Sequence, residues 1–571
     1  MTTTPVPLEL TNDLRASLDA DIEELSVGVQ AWADLPLADR AALLRRTQDS
    51  VGTHAERWAE AAVAAKQTPD NLAGEEYLSG PYVTLANLDS IARNLALLAE
   101  GKSPAAGLKT GTAPGGRTTV RVLPGNAKEW LLLNGFTADV WLEPGVSTKD
   151  LVADAGLGAR ETGRNNGVGV VLGAGNISSI GPLDVLYELV AHNRTSILKL
   201  NPTFASLLPI LNDAFAPLVD AGLMRVVNGA AEVGSYLTGH PKISHIHITG
   251  SGITHDAIVW GTGPEADARR TAGTPLLEKE ITSELGGVSP IIVVPGDWSK
   301  SDLAFQAENV VTQRLHNSGH NCIAGQALIL SEDWAQRDAF LAEIRTLMES
   351  LPAREPWYPG SERKLTAARE SYPTAEDHSG RLLVEVSDET SQDLLTTEYF
   401  APVLGHVSLP GSGAEFLRAA VEFADKRLDG SLGASLIVSP GDRRKMGADF
   451  DNAIADLHYG TIGINAWSAF GFLSHGVPWG AYPGNTVAHV GSGIGVVHNS
   501  HLLSGTERTV INGPFRPFPR SWTRGELAMT PKPPWFVTAK TGSQTAQRLT
   551  QFGSKPGWRR VPGIVLSALR G

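Results

Sequence analysis

Apolar runs of strand length alternate with helix-like segments from Gly167 onward, and this alternation restricts the fold more than any other feature of the chain. Residues 168–172 predict a buried strand and residues 173–176 a tight turn. The next segment predicts a helix, with Pro182 in its first turn and Asn193 near its end. Further strands are predicted at 196–200, 224–227 and 245–248. Strands and helices that alternate at this spacing predict an α/β fold with a parallel, doubly wound sheet.

The remaining sequence predicts additional regions with other patterns of secondary structure. A chain of 571 residues is too long to fold around one ordinary hydrophobic core, so two or three domains are expected. The first hundred residues are typical of amphipathic helices, as at 37–46, where leucines recur at helical spacing. Residues 118–146 form short alternating runs that Pro-Gly pairs interrupt, which predicts a strand arm reaching beyond its own domain. A second α/β stretch runs from about residue 289 to 465, with a strand at 326–330 and a helix near Trp334.

Composition and charge argue against several classes of protein. A hydrophobic content of 42% and a mean hydropathy of −0.08 are typical of globular proteins in water. The net charge of −13 argues against a nucleic-acid partner, because phosphates would repel the chain. The longest apolar stretch, 167–191, contains Asp184 and Glu188 and is not expected to span a membrane. Residues 1–7 show no secretory signal, which, with the single cysteine, predicts a reducing cytoplasm.

The single cysteine, Cys322, is a candidate nucleophile. It cannot form an internal disulfide, and local spacing offers no set of zinc ligands, so no metal site is predicted. The small and polar residues from Asn317 to Gln326 would suit a tight loop that presents a thiolate to a substrate. The alternative is that Cys322 is a small buried apolar residue, as free cysteines often are.

Two further segments allow a chemical and a structural interpretation. Glu284 precedes the pair Gly286-Gly287 in largely apolar sequence, where burial could raise its pKa and make it a general base. A solvated or salt-bridged glutamate is the alternative. Gly173 and Gly175 after a strand are weak evidence for a dinucleotide site, because the usual third glycine is absent.

Taken in order, these segments resemble motifs of the aldehyde dehydrogenase superfamily over roughly residues 30 to 510. The central three are Asn176 in a glycine-rich turn, Glu284 before its glycine pair, and Cys322 in an Asn-x-Gly-x-x-Cys-x-Ala segment. The others are the segment Glu398-Tyr399-Phe400-Ala401-Pro402-Val403, the turn Thr249-Gly250-Ser251, Lys199 at a strand end, and Gly463-Ile464-Asn465. The number and order of these motifs make chance agreement improbable.

The resemblance implies a Rossmann-like cofactor domain, an α/β catalytic domain and a small bridging β arm. It implies NAD(P)-dependent oxidation of an aldehyde to a carboxylic acid. Cys322 would form a thiohemiacetal and then a thioester, Asn176 would hold the oxyanion, and Glu284 would activate the hydrolytic water. The catalytic residues are therefore expected to be Cys322, Glu284 and Asn176.

The resemblance also assigns the cofactor, NAD or NADP, to five residues. Lys199 would contact the adenosine ribose, Gly250 and Ser251 the pyrophosphate, Glu398 the nicotinamide ribose, and Phe400 would pack beside the ring. Many NAD-preferring members have a glutamate three residues after the lysine, where this chain has Pro202. The carboxylate that would repel a 2′-phosphate is therefore absent, and either cofactor remains open. Two other departures lie near the presumed reaction centre, at Gly175 and His320, and the latter could tune the thiolate or contact solvent.

The expected domain division follows the same pattern. Residues 1–117 and 151–283 would form the cofactor domain with its N-terminal helices, and 284–485 the catalytic domain. Residues 118–150 and about 486–515 would be bridging strands that pair between subunits, in a homodimer or homotetramer. Residues 516–571 would form a basic, aromatic C-terminal extension.

The C-terminal extension departs most from the family. From Pro531 to Gly571 there is no acidic residue, and the basic residues give a charge of +7. This segment could wrap the acidic body of the protein or a neighbouring subunit. Alternatively, it could make peripheral contact with an anionic membrane.

Other functions remain compatible with the sequence. A CoA-acylating dehydrogenase would pass the acyl group to CoA, although Glu284 would then have no role as a hydrolytic base. A non-catalytic nucleotide-binding scaffold of the same fold is a second alternative, and a cysteine hydrolase a third. The aldehyde itself is not predicted. The aromatic residues that could line a substrate tunnel or simply pack are Trp130, Phe136, Trp467 and Phe470.

Overall fold

The computed structural model describes residues 10–571; residues 1–7, from which the absence of a secretory signal is predicted, lie outside this range. In chain order the strands are β1 (Lys109–Ala113), β2 (Arg117–Leu123), β3 (Thr137–Leu142), β4 (Val168–Leu172), β5 (Thr195–Lys199), β6 (Met224–Val227), β7 (Ile243–Gly250), β8 (Glu280–Leu285), β9 (Ser289–Val293), β10 (Gly325–Ser331), β11 (Glu376–His378), β12 (Arg381–Glu385), β13 (Val403–Leu409), β14 (Gly433–Ile437), β15 (Thr461–Ile464), β16 (Pro478–Trp479), β17 (Gly493–Ile494), β18 (Val497–His498) and β19 (Thr506–Asn512). The longer helices are Asn12–Asp34, Leu37–Ala65, Val83–Ala99, Ile180–His192, Ala231–Gly239, Gly252–Trp260, Pro264–Ala272, Lys300–Leu315, Arg337–Ser350, Ser361–Ser371, Gly413–Arg427, Ala448–Asp456, Gly542–Ser554 and Val561–Ala568.

The predicted doubly wound sheet is present in the first half of the chain. Its order is β17-β8-β7-β4-β5-β6, and the five strands from β4 to β8 run parallel. Every residue of β4 is buried, which explains its continuous apolar run, because helices cover both faces of such a sheet. The helix Ile180–His192 follows β4 and ends at Asn193, whose left-handed backbone (φ 50°) stops it. The carboxyl ends of β4, β5 and β7 therefore meet at one edge, where α/β sheets bind ligands.

The second sheet joins the strand arm to the catalytic strands. Its order is β1-β2-β3-β19-β15-β14-β9-β10-β13-β12-β11. Strand β19 pairs with β3 on one side and with β15 on the other, so the arm extends the sheet of its own chain. The strands of the arm were expected to pair with those of another subunit. Within the chain both edges of β19 are already hydrogen-bonded, which leaves β1 as the outer strand.

Strand β8 crosses the expected domain boundary. The boundary was predicted between residues 283 and 284, but β8 continues to Leu285 and keeps Glu284 in the cofactor sheet. The chain leaves that sheet at Gly286 and Gly287, where a Cβ on Gly287 would lie 2.9 Å from the Asp429 carbonyl oxygen. The short strand β17, within the predicted bridging segment, pairs with β8 instead of with the arm.

The C-terminal extension packs on the body of its own chain. The helix Gly542–Ser554 lies against Leu37–Ala65 and against the turn that precedes Val83–Ala99. Its apolar side chains join a cluster with Tyr77 and Leu78. Lys532 pairs with Glu308 at 2.9 Å, the one ion pair between a basic residue of segment 531–571 and an acidic side chain in the described part of the chain. Apolar packing more than charge thus holds this segment, and peripheral membrane contact stays a prediction.

Residues 10–571 contain no candidate membrane span and no candidate metal site. No helix there is both long and apolar enough to cross a membrane. Over the same residues, no group of three or more His, Cys, Asp or Glu side chains is arranged to hold a metal ion.

Candidate active site

A single cleft at the carboxyl ends of the parallel strands contains every predicted site residue. It holds about 2160 Å³ of empty space, including its open mouth. The predicted residues that line it are Asn176, Lys199, Gly250, Ser251, Glu284, Cys322, Glu398 and Phe400. They come from both sheets, so the cleft lies where the two sheets face each other. The sequence motifs, spread over more than 200 residues, converge on one place.

A left-handed turn holds the Cys322 loop against the catalytic sheet. Asn317, Ser318 and Gly319 have φ values of 54°, 55° and 79°. A Cβ on Gly319 would lie 2.8 Å from the Ala401 carbonyl oxygen, so glycine is needed there for close approach as well as for φ. This turn ends the helix Lys300–Leu315 and brings Cys322 to the floor of the cleft. Cys322 is partly buried and packs beside apolar residues, as expected for a small buried apolar residue. It also lines the cleft.

Glu284 lies against Cys322. Its side chain is 3% exposed, and burial raises its pKa to about 7, although a hydrogen bond from the Cys322 thiol acts in the opposite direction. Burial also raises the pKa of Cys322 well above its ordinary value, and the neighbouring Glu284 carboxylate raises it further. The solvated or ion-paired glutamate considered from the sequence is therefore not what the structure contains. At neutral pH the thiol keeps its proton and faces a base that titrates nearby.

Asn176 is held beside the same loop. Its side-chain Nδ2 donates to the His320 carbonyl at 3.0 Å, while Asn317 Nδ2 donates to the Asn176 carbonyl at 3.2 Å. An amide nitrogen carries two N–H groups, so Asn176 has a second donor available. Asn317 belongs to the sequence motif around Cys322, but this role was not predicted from it. Its side chain ties the turn to Asn176, which is 141 residues away in sequence.

Glu398 lies in a buried pocket beside Gly286. A Cβ at position 286 would meet the Glu398 carboxyl at 2.1 Å, so the carboxyl can approach only because this residue is glycine. Burial raises the pKa of Glu398 to about 7, and the nearby cations Lys364 and Arg314 oppose that shift. Glu398 Oε1 is buried and has no hydrogen-bond partner among residues 10–571. The sequence analysis missed Lys364 and Arg314, which carry no local motif.

The other predicted cofactor residues occupy strand ends. Lys199 ends β5, and burial lowers its pKa. Gly250 ends β7, and Ser251 caps the helix Gly252–Trp260 by accepting a hydrogen bond from Thr254 N at 3.2 Å. Phe400 has a left-handed φ of 48° and packs against Tyr358, with 4.9 Å between ring centroids.

His320 neither touches solvent nor tunes the thiol. Its side chain is fully buried, and burial lowers its pKa to about 3, so the ring is neutral. Its Nδ1 lies 2.8 Å from the Phe400 carbonyl oxygen, to which it donates. His320 thus fastens the Phe400 segment to the Cys322 loop, a role that neither sequence interpretation included. Gly175, the other departure, faces Asn201, whose side chain would lie 2.6 Å from any added Cβ.

A buried polar ladder runs behind Glu284 and was not predicted. Thr249, which pairs with Glu284 across β7 and β8, donates to Asp184 at 3.1 Å. His247 Nδ1 and His245 Nε2 both bond the Thr282 hydroxyl, at 2.9 and 3.0 Å. Alternating residues on two parallel strands share one face, which explains why these groups line up. These groups were not predicted because the sequence around them is typical of a buried strand, whose positions usually hold apolar residues.

A second, apolar cavity reaches Cys322 from the side away from the cofactor residues. Cys322, Glu284, Asn176 and Ile180 line both this cavity and the cleft. Of the four candidate tunnel aromatics, Trp467 and Phe470 line this inner cavity, Phe136 lines an adjoining outer one, and Trp130 is 55% exposed and lines neither. Cys322 therefore has two separate approaches.

The chain is similar in sequence and fold to known dehydrogenases. Residues 184–367 match the model of the aldehyde dehydrogenase family. An aldehyde dehydrogenase of Mycobacterium tuberculosis complexed with NAD+ is 18% identical, with a TM-score of 0.58 and coverage of 87% of this chain and 89% of that chain. The NADP-dependent glyceraldehyde-3-phosphate dehydrogenase of Bacillus halodurans complexed with NADP is 20% identical, with a TM-score of 0.56 and coverage of 87% and 91%.

A third solved structure has the same fold. It is an aldehyde dehydrogenase C mutant from Pseudomonas syringae in complex with NAD+ and octanal, 17% identical, with a TM-score of 0.58 and coverage of 88% of this chain and 90% of that chain. At these identities the likeness shows the fold alone, whereas the family model adds a match in sequence. Residues 184–367 therefore match the aldehyde dehydrogenase sequence family, and the chain as a whole has the fold of the solved aldehyde dehydrogenases.

Proposed function

We propose that this protein oxidises an aldehyde to a carboxylic acid with NAD or NADP as hydride acceptor, through intermediates bound to Cys322. One observation carries the proposal: the only thiol of the chain lies between the cleft at the strand ends and an apolar cavity, with Glu284 and Asn176 lining both. A reaction that joins a cofactor on one side to an aldehyde on the other requires such an arrangement.

The first step uses Glu284 as the base for the thiol. The Cys322 thiol neighbours the Glu284 carboxylate, so its proton can move there as the sulfur adds to the aldehyde carbonyl, and from there to solvent before the last step. The product is a thiohemiacetal whose oxygen develops negative charge. The second N–H of the Asn176 amide and the backbone N–H of Cys322 are the donors that would hold this oxyanion.

The cofactor fits the cleft by the chemistry of its lining. The buried, unpartnered Oε1 of Glu398 suits a ribose hydroxyl, and the Lys199 ammonium suits the adenosine ribose. Ser251 and Gly250 lie where a pyrophosphate would meet the start of a helix. Phe400 would pack beside the nicotinamide ring. When bound, this group accepts the hydride that leaves the carbon attached to Cys322.

The last step releases the acid. After hydride loss, Cys322 carries a thioester, and Glu284 activates a water molecule to hydrolyse it. A pKa of about 7 suits Glu284 for accepting a proton from water near neutral pH. The buried base favours hydrolysis over transfer to CoA, because a CoA-acylating enzyme needs no such group.

Formation of NAD(P)H at 340 nm tests this function. Wild type, Cys322→Ala and Asn176→Ala would be compared with NAD and NADP across short, long and aromatic aldehydes, with and without CoA. Acid formation without CoA, lost in Cys322→Ala, supports the proposal and shows which cofactor is used. A dependence on CoA would favour the acylating enzyme, and nucleotide binding without turnover would favour the scaffold.

We also propose that the protein forms a homodimer or homotetramer. Strand β1 ends the eleven-stranded sheet and is largely exposed, so its outer edge carries unpaired backbone groups that a second subunit could bond. Analytical ultracentrifugation tests this assembly, and a monomer at all concentrations would contradict it.

A further inference from the structure

The C-terminal segment 530–568 forms much of the wall of an apolar cavity outside the inner one. This outer cavity holds about 1330 Å³ of empty space, including its open mouth. The segment contributes Trp535, Leu549, Phe552, Ile564 and Ala568 to it, and Leu85 and Leu132 of the body line the other side. The extension that departs from the family in sequence therefore lies beside the reaction centre.

The outer and inner cavities adjoin. Leu78, Phe470, Leu473 and Trp535 line both, so these four side chains lie where the two cavities meet. The inner cavity then reaches Cys322, Glu284 and Asn176. Trp535 belongs to the C-terminal segment and stacks obliquely on Phe470, with 5.4 Å between ring centroids. A long molecule whose end reaches Cys322 would therefore extend past Trp535 into the outer cavity.

Two of the cationic side chains that line the outer cavity have ion-pair partners, and a third lies over an aromatic ring. Arg93 pairs with Asp89 at 3.1 Å, and Lys532 pairs with Glu308 at 2.9 Å. The Lys128 ammonium lies 5.7 Å from the centre of the Phe552 ring.

The carboxylate in the same lining is also satisfied. Glu129 accepts hydrogen bonds from Gly125 N and Asn126 Nδ2, both at 2.6 Å, and pairs with His475 at 3.0 Å. Among the described residues, Lys128 is thus the one cation of this lining without an ion pair, and the lining offers no cluster of unpaired cations to a carboxylate or phosphate at the far end of a substrate.

We propose that segment 530–568 builds the outer half of the substrate site and that the substrate is a long, uncharged aliphatic aldehyde. The inference rests on the proposed function, because the aldehyde carbon must reach Cys322. Each methylene that moves from water into the outer cavity should improve binding about fourfold. Negatively charged aldehydes of similar length meet only the Lys128 ammonium there, which packs over the Phe552 ring, and they lose the hydration of their charge.

Two variants of one helix separate the cavity from the rest of the segment. Ala568 and Val565 both lie on Val561–Ala568, but only Ala568 lines the outer cavity, whereas Val565 is 37% exposed. Ala568→Phe should fill the cavity, and Val565→Phe should add the same ring to the surface. Circular dichroism and melting temperature would verify that both variants fold.

The test first follows alkylation of Cys322, which needs no turnover. Because the chain has one thiol, intact mass reports its reaction with N-ethyl and N-octyl iodoacetamide, in which sulfur displaces iodide. In wild type the octyl reagent should react more than tenfold faster than the ethyl one at low concentration. Ala568→Phe should abolish most of this preference and Val565→Phe should keep it.

The second measurement is kcat/KM for aldehydes from propanal to dodecanal, with succinate semialdehyde as a charged comparison. The expected result is a steep rise with chain length that Val565→Phe keeps and Ala568→Phe removes. A flat series, or preference for the charged aldehyde, would overturn the substrate class and leave the proposed function intact. Octyl-selective alkylation without turnover of any aldehyde would overturn the proposed function and leave an apolar site. Equal alkylation rates in all three proteins would overturn the role of the segment.

Discussion

Glu284 neighbours Cys322 at the place where the cleft and the inner cavity meet, so a buried carboxylate faces the one thiol of the chain. Burial is the main reason that both pKa values are raised, and the Glu284 carboxylate raises that of Cys322 further. The resting thiol is thus protonated and protected, and it becomes nucleophilic when an aldehyde accepts the sulfur. In the proposed mechanism the carboxylate takes this proton, releases it to solvent and then acts on water.

Replacing Glu284 by Gln should lower the pKa of Cys322, because it removes the neighbouring negative charge. The pH dependence of iodoacetamide alkylation measures this value without interference from other thiols. We expect the midpoint of the Glu284→Gln profile to lie at least one pH unit below that of wild type. An unchanged or higher midpoint would contradict the contact.

Turnover should fall on the acid side with a midpoint near pH 7, because hydrolysis of the thioester needs the ionised form of Glu284. Below that pH, kcat should decrease about tenfold per pH unit if hydrolysis limits the rate. Steady-state kinetics in overlapping buffers provide the profile. A profile that stays flat down to about pH 5 would show that another group acts as the base.

Removing the Asn176 amide should slow the chemistry with little effect on binding. Loss of one such donor typically costs about 3–4 kcal/mol of barrier, so Asn176→Ala should lower kcat roughly 10²- to 10³-fold. KM should change by less than a few-fold, since the charge develops only in the transition state. A large rise in KM with normal kcat would instead make Asn176 a substrate-binding residue.

The buried Glu398 should make the cofactor-free protein less stable as pH rises. Its folded-state pKa of about 7 lies above the ordinary value of 4.5, so the stability that the protonated form provides is present below pH 4.5 and lost through pH 7. Glu398→Gln should therefore be the more stable protein at about pH 8, by on the order of 3 kcal/mol relative to the difference at low pH. Urea unfolding at both pH values measures this change, and equal differences would contradict it.

Gly319→Ala should destabilise the protein and disable the Cys322 loop. The added Cβ would meet the Ala401 carbonyl oxygen at 2.8 Å, in addition to the strain of φ 79°. Gly101→Ala is a matched control, with φ 73° and no atom within 4 Å of the added carbon. We expect a loss of about 1–2 kcal/mol in the control from backbone strain and a larger loss at Gly319. Equal losses would show that the collision is relieved at no cost.

The sequence predicted several local elements around the candidate site because each depends on neighbouring residues. The strand 168–172, the turn at Asn176 and the helix that Asn193 ends each follow from neighbouring residues, and the structure confirms them. Such features depend on backbone preferences over a few positions. The approximate domain boundary at residue 283 was less accurate, because the strand that carries Glu284 extends to the glycine pair.

Features that depend on distant residues could not be predicted. Lys364 and Arg314 act on Glu398 only because folding places them nearby. Trp535 is more than 200 residues from Cys322 in sequence, yet both line the inner cavity. His320 could be recognised as unusual, but its bond to Phe400 depends on a loop 80 residues away.

The most direct test of the mechanism is the mass of the Glu284→Gln protein after mixing with an aliphatic aldehyde and the preferred cofactor. In this variant the Cys322 thiol, whose pKa is lowered, loses its proton to solvent instead, so the enzyme should complete hydride transfer once, more slowly than wild type, and keep the acyl group on Cys322. Intact mass spectrometry should then show an increase equal to one acyl group, together with one equivalent of reduced cofactor. The double variant Cys322→Ala, Glu284→Gln should show neither. A reduced cofactor without any acyl adduct in Glu284→Gln, or an adduct that persists without Cys322, would contradict the account.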